Sequence, residues 1–241
     1  MSDYILSDET RGKLKAISTA TIATALFKRG LRNQFIQGVA PVDPKPENMV
    51  GQAFTLRYIP AREDRNPITV FRNPEHPQRH AVETCPPGHV LVMDARKNAR
   101  AATAGSILVA RMGVRGVAGV VSDGGFRDCA GIGRLDIPAY CANPSAPTNL
   151  TLHEAIDINV PIACGDVAVF PGDVIVGDRD GVMVIPAHLA EEIAEECEGM
   201  ESYENFVFEE VQNGASIIGL YPATKQENLD RYEEWRKRTG R

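Results

Sequence analysis

The sequence predicts a mixed α/β fold, a sandwich or barrel-like core with helices outside. Three observations carry this. Residues 89–141 run strand, helix, strand, short helix, strand, an order that favours a partly parallel sheet. Residues 159–186 then switch to short apolar runs divided by turn residues, the pattern of antiparallel pairing or a small barrel. Residues 187–212 return to a helical pattern rich in glutamate. The 241 residues are 43% hydrophobic and 24% charged, enough for a substantial core without disulfides or structural metal. With no linker-like stretch, 1–241 reads as one domain.

The elements follow in order. Residues 8–29 read as a helix, with Leu14, Ile17, Ile22, Ala25 and Leu26 at apolar positions and Gly30 ending the pattern. Residues 53–58 alternate like a strand. Residues 61–80 are charged and proline-rich and read as an elaborated loop, longer than most connections. After Pro86-Pro87-Gly88, residues 89–94 read as a buried strand. A helix is expected over 105–112, starting at Gly105 or Ser106, and strands over 117–122 and 137–141. Residues 222–241 form a C-terminal extension, helical and charged on most faces from Lys225 on, with Trp235 as an apolar anchor on a surface helix or a neighbouring subunit.

Composition excludes several classes of function. The net charge of −6 disfavours an electrostatic nucleic-acid binder. No apolar run approaches the roughly 18–20 residues that span a bilayer. The opening MSDYILSDETRGKLK lacks an apolar core and a small-residue cleavage site, so a cytoplasmic location is expected. Five cysteines, an odd number with no C-x-x-C pair, point to reduced thiols that pack as small apolar groups; Cys129 stands out because it follows the motif below.

That motif is the stretch Gly105 to Asp128, GSILVARMGVRGVAGVVSDGGFRD. At its start, Gly105-Ser106-Ile107-Leu108 opens a helix. The first amides of a helix lack internal partners and sit at the positive end of its dipole, which suits a carboxylate or phosphate. Gly105 keeps that end uncrowded. At its other end, Asp123-Gly124-Gly125-Phe126-Arg127-Asp128 follows an apolar strand, and the glycine pair allows a tight turn. Ligands in open α/β sheets bind beyond the carboxyl ends of strands. Arg127 can grip a carboxylate or an adjacent keto oxygen. Asp128 offers a hard oxygen ligand to a hydrated magnesium-type ion. Together these parts make a site for a 2-oxo acid. Arg-Asp pairs are also common on solvated surfaces and Gly-Gly is often only a turn, so spacing alone leaves both readings open.

The chain resembles the RraA-like family, which comprises regulators of ribonuclease E activity and class II 4-hydroxy-4-methyl-2-oxoglutarate aldolases. The resemblance rests on Gly105 through Asp128, with 21 residues between Gly105 and Arg127. It continues through residues 86–94, Val160-Pro161-Ile162, Pro171-Gly172-Asp173 and residues 178–186, and covers roughly residues 10–220. It implies an α/β sandwich of the swivelling-domain type. It also implies a homotrimer, or a hexamer built as a dimer of trimers, with active sites between subunits. In the aldolase branch, amides at the positions of Ile107 and Leu108 hold the pyruvyl carboxylate, the arginine matching Arg127 contacts the keto acid, and the aspartate matching Asp128 binds Mg²⁺ or another divalent cation such as Mn²⁺. That branch cleaves 4-carboxy-4-hydroxy-2-oxo acids to pyruvate and decarboxylates oxaloacetate.

Two positions depart from the family pattern. Ser106 and Gly131 stand where the family is commonly acidic. Either missing carboxylate could have oriented metal-bound water or moved a proton. Ser106, Cys129 and Asp123 are the replacement candidates as proton donor. Glutamates around Glu209 and Glu210 are candidates to complete a neighbouring subunit's site. Arg62, Arg65, Arg72 and Arg96 could recognise a polar substrate or simply form surface charge; His80 and His89 carry the same ambiguity. The expected function is a divalent-metal-dependent lyase acting on a 2-oxo acid, by aldol cleavage or decarboxylation through a pyruvate enolate. Two alternatives remain: a hydro-lyase of a sugar-derived 2-keto-3-deoxy acid, and a non-catalytic regulator that binds a ribonuclease. Neither nucleic acid nor membrane is expected as a partner.

Overall fold

The computed structural model describes residues 4–240. Two helices open it, α1 (Asp8–Leu14) and α2 (Thr19–Lys28), where the sequence reads as one helix over 8–29. Ser7 and Ser18 explain the break. Each sits in extended backbone and accepts a hydrogen bond of 3.1 Å from the amide three residues on, so each starts its own helix. Beyond β1 (Ala40–Pro41), β2 (Met49–Pro60) runs well past the expected 53–58. The expected loop at 61–80 is partly helical, with a 3-10 turn at Ile68–Arg72 and then α3 (Pro77–Thr84), whose proline occupies a first-turn position that needs no amide.

The chain continues through β3 (His89–Asp94), β4 (Ala102–Ala104), α4 (Ser106–Val114), β5 (Gly119–Phe126), α5 (Cys129–Gly133) and β6 (Ala139–Pro144). Then come β7 (His153–Ile158), β8 (Ile162–Cys164), β9 (Val167–Val169), β10 (Val174–Gly177), β11 (Val182–Ile185), α6 (Ala190–Gln212) and α7 (Gln226–Thr239). The main sheet has the order β1-β6-β5-β3-β2-β10-β11, with β4 beside β5 and β7 beside β2. Its centre is parallel: β2 with β3, β3 with β5, β5 with β6 and β4 with β5. The antiparallel pairing expected after 159 is present, but divided. The β10–β11 hairpin extends the main sheet, while β8 and β9 pair apart from it, so these strands form no barrel of their own.

Strand β3 shows why the centre of the sheet is apolar throughout. Val90 and Val92 face one buried cluster, and Leu91 and Met93 face another. A parallel strand covered on both faces needs apolar residues at every position. One cover comes from α3, α4 and α5; α1, α2 and α6 pack on β10 and β11 through Ile22, Leu26, Ile193 and Val176. The C-terminal helix α7 packs on this chain's own α6, with Trp235 buried against Phe206 and its indole N–H donating to Glu209 at 2.7 Å. Glu210 pairs with Arg231 in the same contact. Both glutamates proposed for a neighbouring subunit are therefore engaged within this chain.

Candidate active site

The site stands where β4 and β5 end. These strands are parallel neighbours, with Ala104 opposite Phe126, and α4 connects them. Parallel pairing brings both carboxyl ends to one edge, so the residues after β4 and those after β5 meet although 21 positions separate them. Gly105 and Ser106 follow β4; Arg127 and Asp128 follow β5. The Arg127 amide donates to the Ala104 carbonyl at 3.0 Å and holds the two ends together.

The glycine pair acts differently from the expected turn. Gly124 and Gly125 lie inside β5, which continues to Phe126. A Cβ at Gly124 would fall 2.6 Å from the Ala95 Cβ, and one at Gly125 would fall 2.7 Å from the Ser145 Cβ and 2.8 Å from the Ala99 carbonyl. These positions are glycine because neighbouring chain crosses the strand there. Gly105 is constrained by the site itself. A Cβ on it would lie 3.0 Å from Arg127 Cγ, Arg127 Nε and Asp128 Oδ2.

Gly105 is also the N-cap of α4 and makes no side-chain capping bond. The Leu108 amide already donates to the Gly105 carbonyl at 3.0 Å. The amides of Ser106 and Ile107 are the first-turn donors that the helix itself leaves unpaired, and such donors suit an anion. Asp128 takes a left-handed backbone conformation, φ 58°, and caps no amide with its side chain. The Ser106 hydroxyl is 3.4 Å from Asp128 Oδ2 and can donate to it, and Arg127 Nε is 3.8 Å from the same oxygen. A Cβ at Gly131 would lie 3.2 Å from the Ser106 Cβ. The two positions where the family pattern is commonly acidic thus face each other beside Asp128, and both are small here.

Gly105, Ile107, Leu108, Arg127 and Asp128 line a cavity of about 460 Å³; the Ser106 and Gly131 side positions are not part of its lining. The 61–84 segment adds Ile68, Phe71, Gln78 and Arg79 to its lining. Sequence reading missed Arg79 and the Thr148–Asn149 edge, because nothing local to those residues marks a site. A second cavity of about 320 Å³ lies against Arg127, Asp128 and Cys129. The Cys129 thiol donates to the Phe126 carbonyl at 3.4 Å, and burial pushes its pKa up, so the thiol form is favoured.

Asp123 stands apart. It is 1% exposed and accepts hydrogen bonds from the amides of Ala95 (2.6 Å), Lys97 (3.1 Å) and Gly165 (3.1 Å). Burial raises its pKa against the opposing pull of those bonds. The structure places it under the 95–97 turn and not among the residues lining the cavity, so it does not meet Arg127 as a proton donor. Neither the four arginines singled out from sequence nor His80 and His89 line the cavity. Arg62 pairs with Asp64, Arg65 with Glu154, and Arg96 donates to the Leu152 carbonyl and to His153.

Among the described residues, no three His, Cys, Asp or Glu side chains converge as a metal cage. A hydrated hard cation needs only one or two protein carboxylates plus water and substrate oxygens, and Asp128 is the carboxylate here that could hold one. No described helix is long and apolar enough to cross a membrane.

A parallel-strand edge, an open helix start and an Arg-Asp pair together make an arrangement that can receive a small anion. The chain belongs to the RraA-like family: residues 19–184 match the family model described as RraA-like, Aldolase/RraA. It is 38% identical over 111 residues to a candidate 4-hydroxy-4-methyl-2-oxoglutarate aldolase of Halalkalibacterium halodurans, covering 46% of this chain and 52% of that one. It is 37% identical over 108 residues to an uncharacterised Methanocaldococcus jannaschii protein, covering 43% and 50%. The chain thus spans about half the length of these curated relatives. Among solved structures, Streptomyces coelicolor RraAS2, described as an unusual member of the RNase ES inhibitor RraA family, aligns with a TM-score of 0.73 at 30% identity, over 83% of this chain and 96% of its own.

Proposed function

We propose that this protein is a divalent-metal-dependent lyase that cleaves or decarboxylates a 2-oxo acid to release pyruvate. The observation that supports this best is the convergence of the open start of α4 with Arg127 and Asp128 on one cavity. In this reading the amides of Ser106 and Ile107 receive the carboxylate of the 2-oxo acid. Arg127 faces the keto oxygen. When the C3–C4 bond breaks, its electrons move onto that oxygen as an enolate. A guanidinium already aimed there stabilises the developing charge more than it stabilises the ground state. Mg²⁺ or Mn²⁺ held at Asp128 would supply Lewis acidity next to the same oxygen. The Ser106 hydroxyl, directed at Asp128, orients that carboxylate and is the proton donor at hand. Ile68, Ile107 and Leu108 give the cavity its apolar surface.

The site also supports an assembly. Ile107 is 80% exposed at the cavity edge, and Ile68 is exposed opposite it. A homotrimer or hexamer with sites between subunits would cover both; sedimentation that reports a monomer would remove this part of the proposal.

The reaction is tested by product masses from 4-carboxy-4-hydroxy-2-oxoadipate and oxaloacetate, with Mg²⁺ and with EDTA. Metal-dependent pyruvate release is expected. A product that has lost only water, with every carbon retained, would replace the lyase with the hydro-lyase reading. The similarity to RraAS2 favours a second role, as a regulator. No turnover of any 2-oxo acid, together with a tight complex with a ribonuclease, would support that role instead.

A further inference from the structure

Arg79 is the one arginine besides Arg127 that lines the cavity, and its surroundings set it apart from the other arginines of the 61–84 segment. Arg62 and Arg65 each pair with a carboxylate. Among the described residues none pairs with Arg79. Its guanidinium lies over the Phe71 ring, 4.2 Å from the centroid, and donates to Gln78 Oε1 at 3.1 Å. Gln78 is itself buried and donates through Nε2 to the Thr103 carbonyl on the cavity wall, just before the site glycine. Phe71 is braced on its other neighbour, His76, by an edge contact at 5.1 Å. The guanidinium is thus held flat and half-buried, with most of its donors unspent. A guanidinium carries five N–H donors, and only one is used here.

Burial lowers the pKa of Arg79, and the nearby Arg127 lowers it further. Asp128 is the sole carboxylate among the residues lining the cavity. Two guanidiniums and one carboxylate leave the cavity with surplus positive charge before any cation enters. A half-buried cation with no carboxylate partner is costly, and a site retains one where a ligand supplies the missing anion.

We infer that Arg79 is the specificity-determining residue of this site, receiving a carboxylate at the end of the substrate remote from the 2-oxo acid group. This rests on the proposed placement of the 2-oxo acid at Ser106, Ile107 and Arg127. The segment that carries Arg79 is the one the sequence marks as an elaborated insertion. The stretch from Ile68 through α3 contributes to the cavity lining and presents the Arg79 fork to it, held against Phe71 and Gln78. A planar fork prefers a bidentate carboxylate, whereas a lysine would offer only a point charge.

The test uses two probes of equal carbon length, 2-oxoglutarate and 2-oxopentanoate, which differ in having or lacking the distal carboxylate. Their affinities are measured by calorimetry with Mg²⁺ on the wild-type chain, Arg79→Ala, Arg79→Lys and Arg127→Ala. The wild type is expected to prefer 2-oxoglutarate. Arg79→Ala should collapse that preference about 10- to 100-fold, the range of a lost charge-assisted contact. Arg79→Lys should recover only part of it. Arg127→Ala should weaken both probes together. An unchanged preference in Arg79→Ala would overturn the inference, and so would an equal loss of both probes, which marks a structural role. Because binding is read rather than turnover, a chain that releases no pyruvate from any substrate but shows the Arg79-dependent preference would defeat the lyase proposal alone.

Discussion

A methyl group at position 105 meets Arg127 and Asp128 at once, each at 3.0 Å. The atoms it meets, Arg127 Cγ and Nε and Asp128 Oδ2, belong to exposed side chains and not to backbone, so the fold can absorb the change by shifting those side chains. The cost then falls on the site. Gly105→Ala is expected to leave the urea midpoint near the wild-type value and to lower turnover by about 10- to 100-fold, the penalty for misplacing a reacting group by roughly an ångström. Turnover equal to wild type would show that Arg127 and Asp128 need not hold this geometry. The same contact explains why Gly105 was legible as a site residue from sequence while its reason was not. An incoming anion calls for an open helix start, but the crowding comes from two residues more than twenty positions away.

Asp123 shows the opposite case, where a candidate residue belongs to the elements around it. Its carboxylate ties β5 to the 95–97 turn, where Arg96 and Lys97 have positive φ, and to the Gly165 turn between β8 and β9. Asp123→Asn replaces one accepting oxygen with an amide donor that faces backbone N–H groups. The variant is expected to lose about 1–3 kcal/mol in urea unfolding for each amide left unsatisfied, with turnover per folded molecule kept. Lost turnover at unchanged stability would restore Asp123 to the chemistry. The sequence marks it because a carboxylate beside Gly-Gly reads as the start of a turn. What hides its place is β4, three residues long and without a periodic signal, whose pairing carries β5 on to Phe126. The strand at 89–94 was legible for the reverse reason, since burial on both faces writes a continuous apolar run. The long α6 and the charged α7 were legible from their periodicity. Helix α3 was not, because a segment of prolines, arginines and histidines carries little apolar pattern. Arg79 went unread with it.

At the scale of the whole molecule, buried histidines set the pH response. His153 is fully buried. Its Nδ1 faces Arg96 Nη2 at 3.0 Å, which can only donate, so Nδ1 accepts and Nε2 donates to the Asn98 carbonyl at 3.0 Å. The ring is therefore held neutral. Burial lowers the pKa of His153, His76 and His89 alike. Below the ordinary histidine value of about 6.5 the unfolded chain binds protons that the folded one refuses, so stability is lost as pH falls through that value. Asp123 and Asp173, raised by burial, favour the folded state as pH falls, but only nearer the ordinary carboxylate range. The thermal midpoint is expected to drop between about pH 7.5 and 5.5, and His153→Gln should flatten that slope. A midpoint that rises on acidification would contradict it.

In the proposed function, β4 and β5 bring a helix start, Arg127 and Asp128 together to cleave a 2-oxo acid. Pyruvate release from oxaloacetate, followed while Mg²⁺ is titrated into metal-free wild type, Arg127→Ala and Asp128→Ala, tests it most directly. Saturable, metal-dependent release by the wild type is expected, with release near the uncatalysed background in both variants and their thermal midpoints unchanged because both side chains are exposed. Release that persists in EDTA, or in either folded variant at the wild-type rate, would contradict it.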